Sequence, residues 1–262
     1  MDLRCSVETE TAMNVHPQTA FGGKRDAHDP RDFPFVPKAK MLPSSVDLRP
    51  CVQVYNQLPP IQSCSANALA AMFEFVARKH NETIPPPSRL FIYYNERKAE
   101  GTQGSDCGAT IRNGMKSIAK QGICAESSWP YLPANVTVEP PAPCYAEAKS
   151  TRAIQYSRLH NPVEDGKACL AEGYPFVFGI EVYWNSILAA QHSGHLALPA
   201  PDDKVMGGHA VMAVGYEDSA QTFLALNSLG TEWGDGGYFT LPYAYLTDPK
   251  LAYDFWTLRR VL

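Results

Sequence analysis

With 262 residues, 45% of them hydrophobic and 19% charged, the chain can bury the core of one large domain or of two small ones. A formal net charge of -4 and the absence of any basic run make nucleic acid and anionic membranes poor partners. No apolar stretch approaches the roughly 20 residues that span a bilayer, and the N-terminus carries neither the basic start nor the apolar run of a secretory signal.

Residues 1–40 differ from the rest. The stretch FGGKRDAHDPRDFPFVPKAK is rich in Gly, Pro and charge and has no helical or strand period. It reads either as a disordered tail or as a segment laid across the body, with Phe33, Phe35 and Val36 as apolar anchors between prolines. From residue 41 to about 155 the signals are mainly helical. QSCSANALAAMFEFVARKH predicts a helix capped by Ser63 and closed by Arg78, Lys79 and His80, whose charge suits its C-terminal dipole. PSRLFIYYNERK and GATIRNGMKSIAKQG predict two more, the second ended by Gly122, and prolines 130, 133, 140, 141 and 143 mark a long irregular connection. From about 156 to 262 the texture changes: PFVFGIEVY, GHAVMAVGYED, TFLALNSL and GYFTLPYAYL predict strands. Helices first and strands later predict an α+β chain with two lobes.

Seven cysteines (Cys5, Cys51, Cys64, Cys107, Cys124, Cys144 and Cys169) include no CxxC pair or other metal-ligand spacing, so a zinc site has little support. Cys64 stands apart as the first residue of the first predicted helix, at the positive end of its macrodipole, where a thiolate is favoured. A small buried hydrophobe is the plainer role for such a residue. His209 opens the apolar strand in GGHAVMAVGY directly after two glycines, and imidazole is the group best suited to exchange a proton with a thiol near neutral pH. Asn227 ends the next strand, in LNSLGTEWGDGGYF, where its amide can accept a histidine N–H and fix the ring. Taken singly, the histidine reads as a hydrogen-bonded strand-end residue and the asparagine as a turn residue. The remaining histidines have weaker settings; His192 and His195 read as surface residues of a loop.

SVDLRP followed by YNQ, then SCSANA, GGHAVMAVGY and NSLGTEWGDGGYF, occur in this order from about residue 42 to the end. Together they resemble the papain-like cysteine peptidases, and SCSAN, DPRDF and LPYAYLTDP look most like bacterial members. The resemblance implies a papain-like two-lobed fold, a helical lobe beside an antiparallel β-barrel-like lobe, with the active site in the cleft between them. It implies Cys64 as nucleophile, a thiolate paired with protonated His209, the general acid and base. Asn227 would hold that ring, and Trp233 would shield their bond from water on the substrate side. Gln57 and the Cys64 N–H would form an oxyanion hole. The backbone of Gly108 would pair with an extended substrate, and Ala109 and Ala210 would line a pocket for an apolar side chain just upstream of the cut. Protein or peptide substrates are the partners so implied, with no metal or organic cofactor.

The chain also departs from the family's pattern. Around the nucleophile, IQSCS keeps only the usual Ser-Cys pair. Gln57 stands one residue further from the cysteine than usual. Leu229 replaces an expected aromatic, and Ile61 replaces the usual disulfide partner of Cys107, so that bridge is not expected. The leading expectation is an endopeptidase that forms a thioester acyl-enzyme. An acyl transferase with the same triad and a catalytically weak binding protein on the same scaffold are the alternatives. Residues 1–40, lying before the body, are expected to occupy the cleft as a latency segment.

Overall fold

Pro59 and Pro60 bar a helix from starting earlier, and the Ala-rich run that follows readily continues one. In the computed structural model, which describes residues 21–39, 41–49 and 52–261, helix α1 spans Cys64–Lys79 and is buried throughout from Cys64 to Ala77. That is the position of a helix apolar on all sides. Ser63 precedes it without making the expected side-chain cap. Its hydroxyl is engaged by Tyr131 Oη and Asn67 Nδ2, so tertiary partners win over the local capping preference. Helix α2 (Arg89–Glu100) does carry a cap, Ser88 Oγ accepting the Phe91 N–H at 3.2 Å, and ends at Gly101 in the left-handed region. Helix α3 (Ile111–Gln121) stops at Gly122, as predicted. The proline-rich connection is less irregular than expected, because α4 (Ala142–Ala148) forms with Pro143 in its first turn, where a missing N–H costs nothing.

A nine-stranded sheet holds the remainder together. Strands β3 (Ala109–Thr110), β1 (Gly23–Lys24), β6 (Val205–Glu217), β5 (Phe176–Tyr183), β9 (Ala252–Val261) and β4 (Ala153–Arg158) lie side by side in that order. Strands β2 (Ser45–Asp47) and β7 (Thr222–Leu226) also pair with β6, and β8 (Tyr238–Pro242) pairs with β7. Three shorter helices, α5 (Glu164–Ala171), α6 (Trp184–Ser193) and α7 (Tyr243–Thr247), sit among the later strands. GYFTLPYAYL therefore splits at Pro242 into β8 and α7 instead of forming a single strand. Strand β9 was not expected, since Asp254, Arg259 and Arg260 interrupt its apolar pattern. Arg158 Nη2 offsets one of them by donating to Asp254 Oδ1 at 2.6 Å. Although β2 comes from the first half of the chain, it pairs with the far end of β6.

The period-2 alternation of β6 divides two cores. Ala210, Met212 and Val214 pack with α1, α2 and α3, whereas Val211 and Ala213 join Phe176, Phe178, Phe223 and Phe239, as does Tyr216 past the register shift between Ala213 and Gly215. The α1 mouth is thereby set against β6 near His209. No helix among the described residues is long and apolar enough to cross a membrane. Residues 1–20 of the extension, with Cys5, and Cys51 of the body lie outside the described residues.

Candidate active site

Three elements converge where α1 begins. The backbone N–H groups of Ala210, the residue after His209 in β6, of Gly22 and of Ser65 act on the Cys64 sulfur and favour its thiolate. His209 Nε2–H donates to Asn227 Oδ1 at 2.9 Å, just past the end of β7. That oxygen also accepts the Ser228 N–H at 2.7 Å, which fixes the amide. Because Oδ1 only accepts, the imidazole proton is on Nε2 and the lone pair on Nδ1. Nδ1 is buried and has no hydrogen-bond partner among the described residues. Such a ring is oriented to take a proton from a nearby thiol.

In this state neither group is charged. Cys64 and His209 are both 0% exposed. Burial pushes the Cys64 thiol up to about 11, against the pull of the surrounding N–H groups, and pushes His209 down to about 4. Both shifts favour a neutral thiol and a neutral imidazole in this state, whereas the resemblance implies a thiolate–imidazolium pair. Residues 21–24 are among the groups that bury the two. The Phe21 ring stands edge-on to His209 at 5.1 Å, Gly22 O accepts the Ala109 N–H at 3.1 Å, and Gly23 pairs with both Gly208 and Ala109.

The other predicted residues are placed as follows. Gly108, at φ 72°, donates its N–H to Tyr93 Oη at 2.9 Å, and the pairing with the chain's own Gly22 and Gly23 is made by Ala109. Ala109 and Ala210 are buried beside that pairing. Gln57 Nε2 donates to Ile61 O at 2.6 Å, and its Oε1 accepts from Ser228 Oγ at 3.0 Å, tying it to the Asn227 loop. Trp233 is buried edge-on against Phe239. Cys107 is a free thiol. Of the proposed anchors in the extension, Phe35 is buried, whereas Phe33 and Val36 are exposed.

Glu96 was not anticipated. It is wholly buried behind Cys64, accepts from Ser65 Oγ at 2.7 Å, and fits only because Gly114 has no Cβ to meet its Oε1. Burial pushes its carboxyl up to about 8, and the Ser65 bond only partly opposes this. A raised carboxyl pKa gives stability that is complete below the ordinary value of 4.5 and is lost as pH rises toward 8. Glu96→Gln should therefore melt higher than the parent by on the order of 5 °C at pH 8. In melts recorded from pH 4 to 9, the difference should widen between pH 4.5 and 8 and stay flat above. A constant difference across that range would mean that Glu96 is already ionised in the fold.

Comparison with known proteins yields consistent matches. The family model described as "Papain family cysteine protease" matches residues 42–247. An uncharacterized peptidase C1-like protein of Acanthamoeba polyphaga mimivirus is 39% identical over 240 residues, covering 86% of this chain and 77% of that protein. Among solved structures, xylellain, a cysteine protease from Xylella fastidiosa, superposes with a TM-score of 0.88 at 41% identity, covering 94% of this chain and 97% of that one. Procathepsin B from Trypanosoma congolense shares the fold at 18% identity, with a TM-score of 0.68 over 86% of this chain and 81% of that one.

Proposed function

The chain belongs to the papain family of cysteine proteases, and from that premise we propose that it is a peptidase whose triad is Cys64, His209 and Asn227 and that residues 21–24 hold latent. The observation that carries the reading is the His209–Asn227 bond of 2.9 Å, which leaves Nδ1 without a partner on the residue before Ala210, whose N–H acts on the Cys64 sulfur. In the reaction so inferred, His209 Nδ1 takes the Cys64 proton as the sulfur attacks the scissile carbonyl, then returns it to the leaving amine. Asn227 keeps the ring in the tautomer that this requires. The developing oxyanion is met by the Cys64 N–H and by Gln57, one N–H of which is already committed to Ile61. Water then attacks the thioester, again with His209 as base.

Latency follows from where the N-terminal segment lies. Gly22 and Gly23 pass over the sulfur and beside β6, and the following turn is fastened to the body. Asp26 Oδ2 accepts from Trp256 Nε1 at 2.8 Å, while Asp32 pairs with Arg112 and with Arg158 at 3.0 Å. The test is hydrolysis of a fluorogenic peptide with an apolar residue upstream of Arg, under reducing conditions. In a Gly23→Val background, which unseats residues 21–24, Cys64→Ala should lower the rate by roughly 10³-fold or more. Equal rates for the two would sink the triad assignment; amide exchange without hydrolysis would favour acyl transfer.

A further inference from the structure

Beyond Gly22 and Gly23 the segment places two cations against the body, the half-buried Lys24 and the exposed Arg25, each on a set of partners that the body supplies. Lys24 Nζ lies 3.1 Å from Glu100 Oε2 at the end of α2 and 3.5 Å from Cys107 Sγ. The other oxygen of Glu100 is held by the Thr110 N–H at 2.8 Å, Thr110 Oγ1 at 3.0 Å and Asn113 Nδ2 at 3.1 Å. The body alone thus aims Oε2 into the cleft. Although burial pushes this carboxyl up, those bonds and Lys24 together hold it below its ordinary value, so it is an anion there.

The second set of partners suits a guanidinium. Arg25 donates from Nη1 to Pro249 O at 2.7 Å and from Nη2 to Lys250 O at 2.8 Å, in the turn before β9. Its planar group lies over the Tyr253 ring at 4.0 Å, with Glu181 Oε2 of β5 3.7 Å away. Two carbonyls, an aromatic face and a carboxylate form a forked, stacked site that arginine fills better than a point charge does. Between these partners and Cys64 the passage is narrow. A Cβ on Gly22 would lie 2.5 Å from Gln62 Cβ and one on Gly23 2.7 Å from the His209 nitrogen.

Resting on the peptidase reading above, we propose that these two sets of partners are substrate subsites: the cleft selects polypeptides with adjacent basic residues set two small residues away from the cut. When residues 21–25 leave, Glu100 and Glu181 lose their cations, and a partly buried carboxylate without a partner is costly. A substrate running past Cys64 along Ala109 crosses both and can replace them. With Ala109 and Ala210 read as the upstream side, the basic pair precedes the cut.

The test uses the full chain and its Gly23→Val form, in which the segment cannot seat. Acetyl-Arg-Lys-Gly-Gly and acetyl-Met-Gln-Gly-Gly fluorogenic amides, and versions with the pair moved one position, are compared by kcat/KM. A fluorescein-labelled Arg-Lys-Gly-Gly peptide is titrated in parallel into Gly23→Val carrying Cys64→Ala. The basic peptide should be favoured about tenfold or more, and Glu181→Gln and Glu100→Gln should each remove most of that preference and weaken peptide binding to a similar degree. Ratios that are unchanged in both glutamine variants, or the absence of both preference and glutamate-dependent binding, would overturn the assignment. Glu181 makes no contact that the fold needs through its carboxylate, so its variant keeps the test valid if Glu100→Gln unfolds. Glutamate-dependent binding with no Cys64-dependent hydrolysis in any form would sink the peptidase reading and leave the subsites standing.

Discussion

Gly23→Val is expected to raise the rate of peptide hydrolysis by the full chain at least tenfold. A side chain at residue 23 would have to occupy the space of the His209 nitrogen at 2.7 Å and of the Gly208 carbonyl carbon at 2.8 Å. Both are backbone atoms of β6 and cannot rotate away. Overpacking of this kind costs about 1–3 kcal/mol, and shifting a docked–undocked equilibrium by that amount changes it roughly 5- to 150-fold. Residues 21–25 can lift while the anchors at Asp26 and Asp32 hold, and the substitution touches no core side chain, so the fold should survive. Steady-state kinetics on the parent and the variant provide the measurement. An unchanged kcat/KM, with Phe21 still shielding His209, would mean that residues 21–24 do not limit access. The effect should vanish in Gly23→Val carrying Cys64→Ala.

Much of the site was legible in the sequence because its residues are marked locally. Cys64 does open a helix, behind two prolines, and Asn227 does stand where a strand gives way to a turn; His209 does lie in a strand, but inside β6, which begins at Val205, and not at its start. Other features depend on contacts between distant segments, which local pattern does not carry. The Ser63 hydroxyl turns to Tyr131, a residue far along the chain, and leaves the helix uncapped. Gly108 gives its N–H to Tyr93, and the pairing with Gly22 and Gly23 is made by Ala109. Glu96 reads as an ordinary polar position within PSRLFIYYNERK, and only Ser65 and Gly114, from two other helices, make it a buried one. Strand β9 escaped for the same reason, since Asp254 and Arg259 are paired by Arg158 and Glu172, partners that the local sequence does not reveal. The segment over the cleft is the clearest case. FGGKRD shows no period, but glycines at 22 and 23 are what lets a backbone pass over a thiol and beside a sheet edge without a clash.

The second large effect concerns the thiol itself. Alkylation of Cys64 by iodoacetamide should be at least 100-fold faster in Gly23→Val than in the parent at pH 7. Burial beneath residues 21–24 holds the parent thiol up at about 11 and the imidazole down at about 4, so each proton sits where it is least useful. Once the cover lifts, the desolvation that causes both shifts is removed. The sulfur keeps the helix-start N–H of Ser65, and Nδ1 becomes able to accept its proton, which favours the thiolate well below the ordinary thiol value of 9.0. Descent from about 11 to 9.0 alone multiplies the thiolate at neutral pH about 100-fold, and pairing with His209 adds to this. The sign also fixes the pH profile. Because the covered thiol's pKa is raised, cover is favoured while the proton stays on and is lost as pH climbs past 9. Because the covered imidazole's pKa is depressed from 6.5, cover is favoured above that value and weakened as pH falls toward 4. The parent's alkylation rate should therefore climb steadily through pH 9, while that of Gly23→Val should level off at least two pH units lower. Mass spectrometry assigns the modified residue, and Cys64→Ala controls for the other thiols. Superimposable profiles would mean that the cover does not set the protonation of Cys64, and latency would then have to be purely steric.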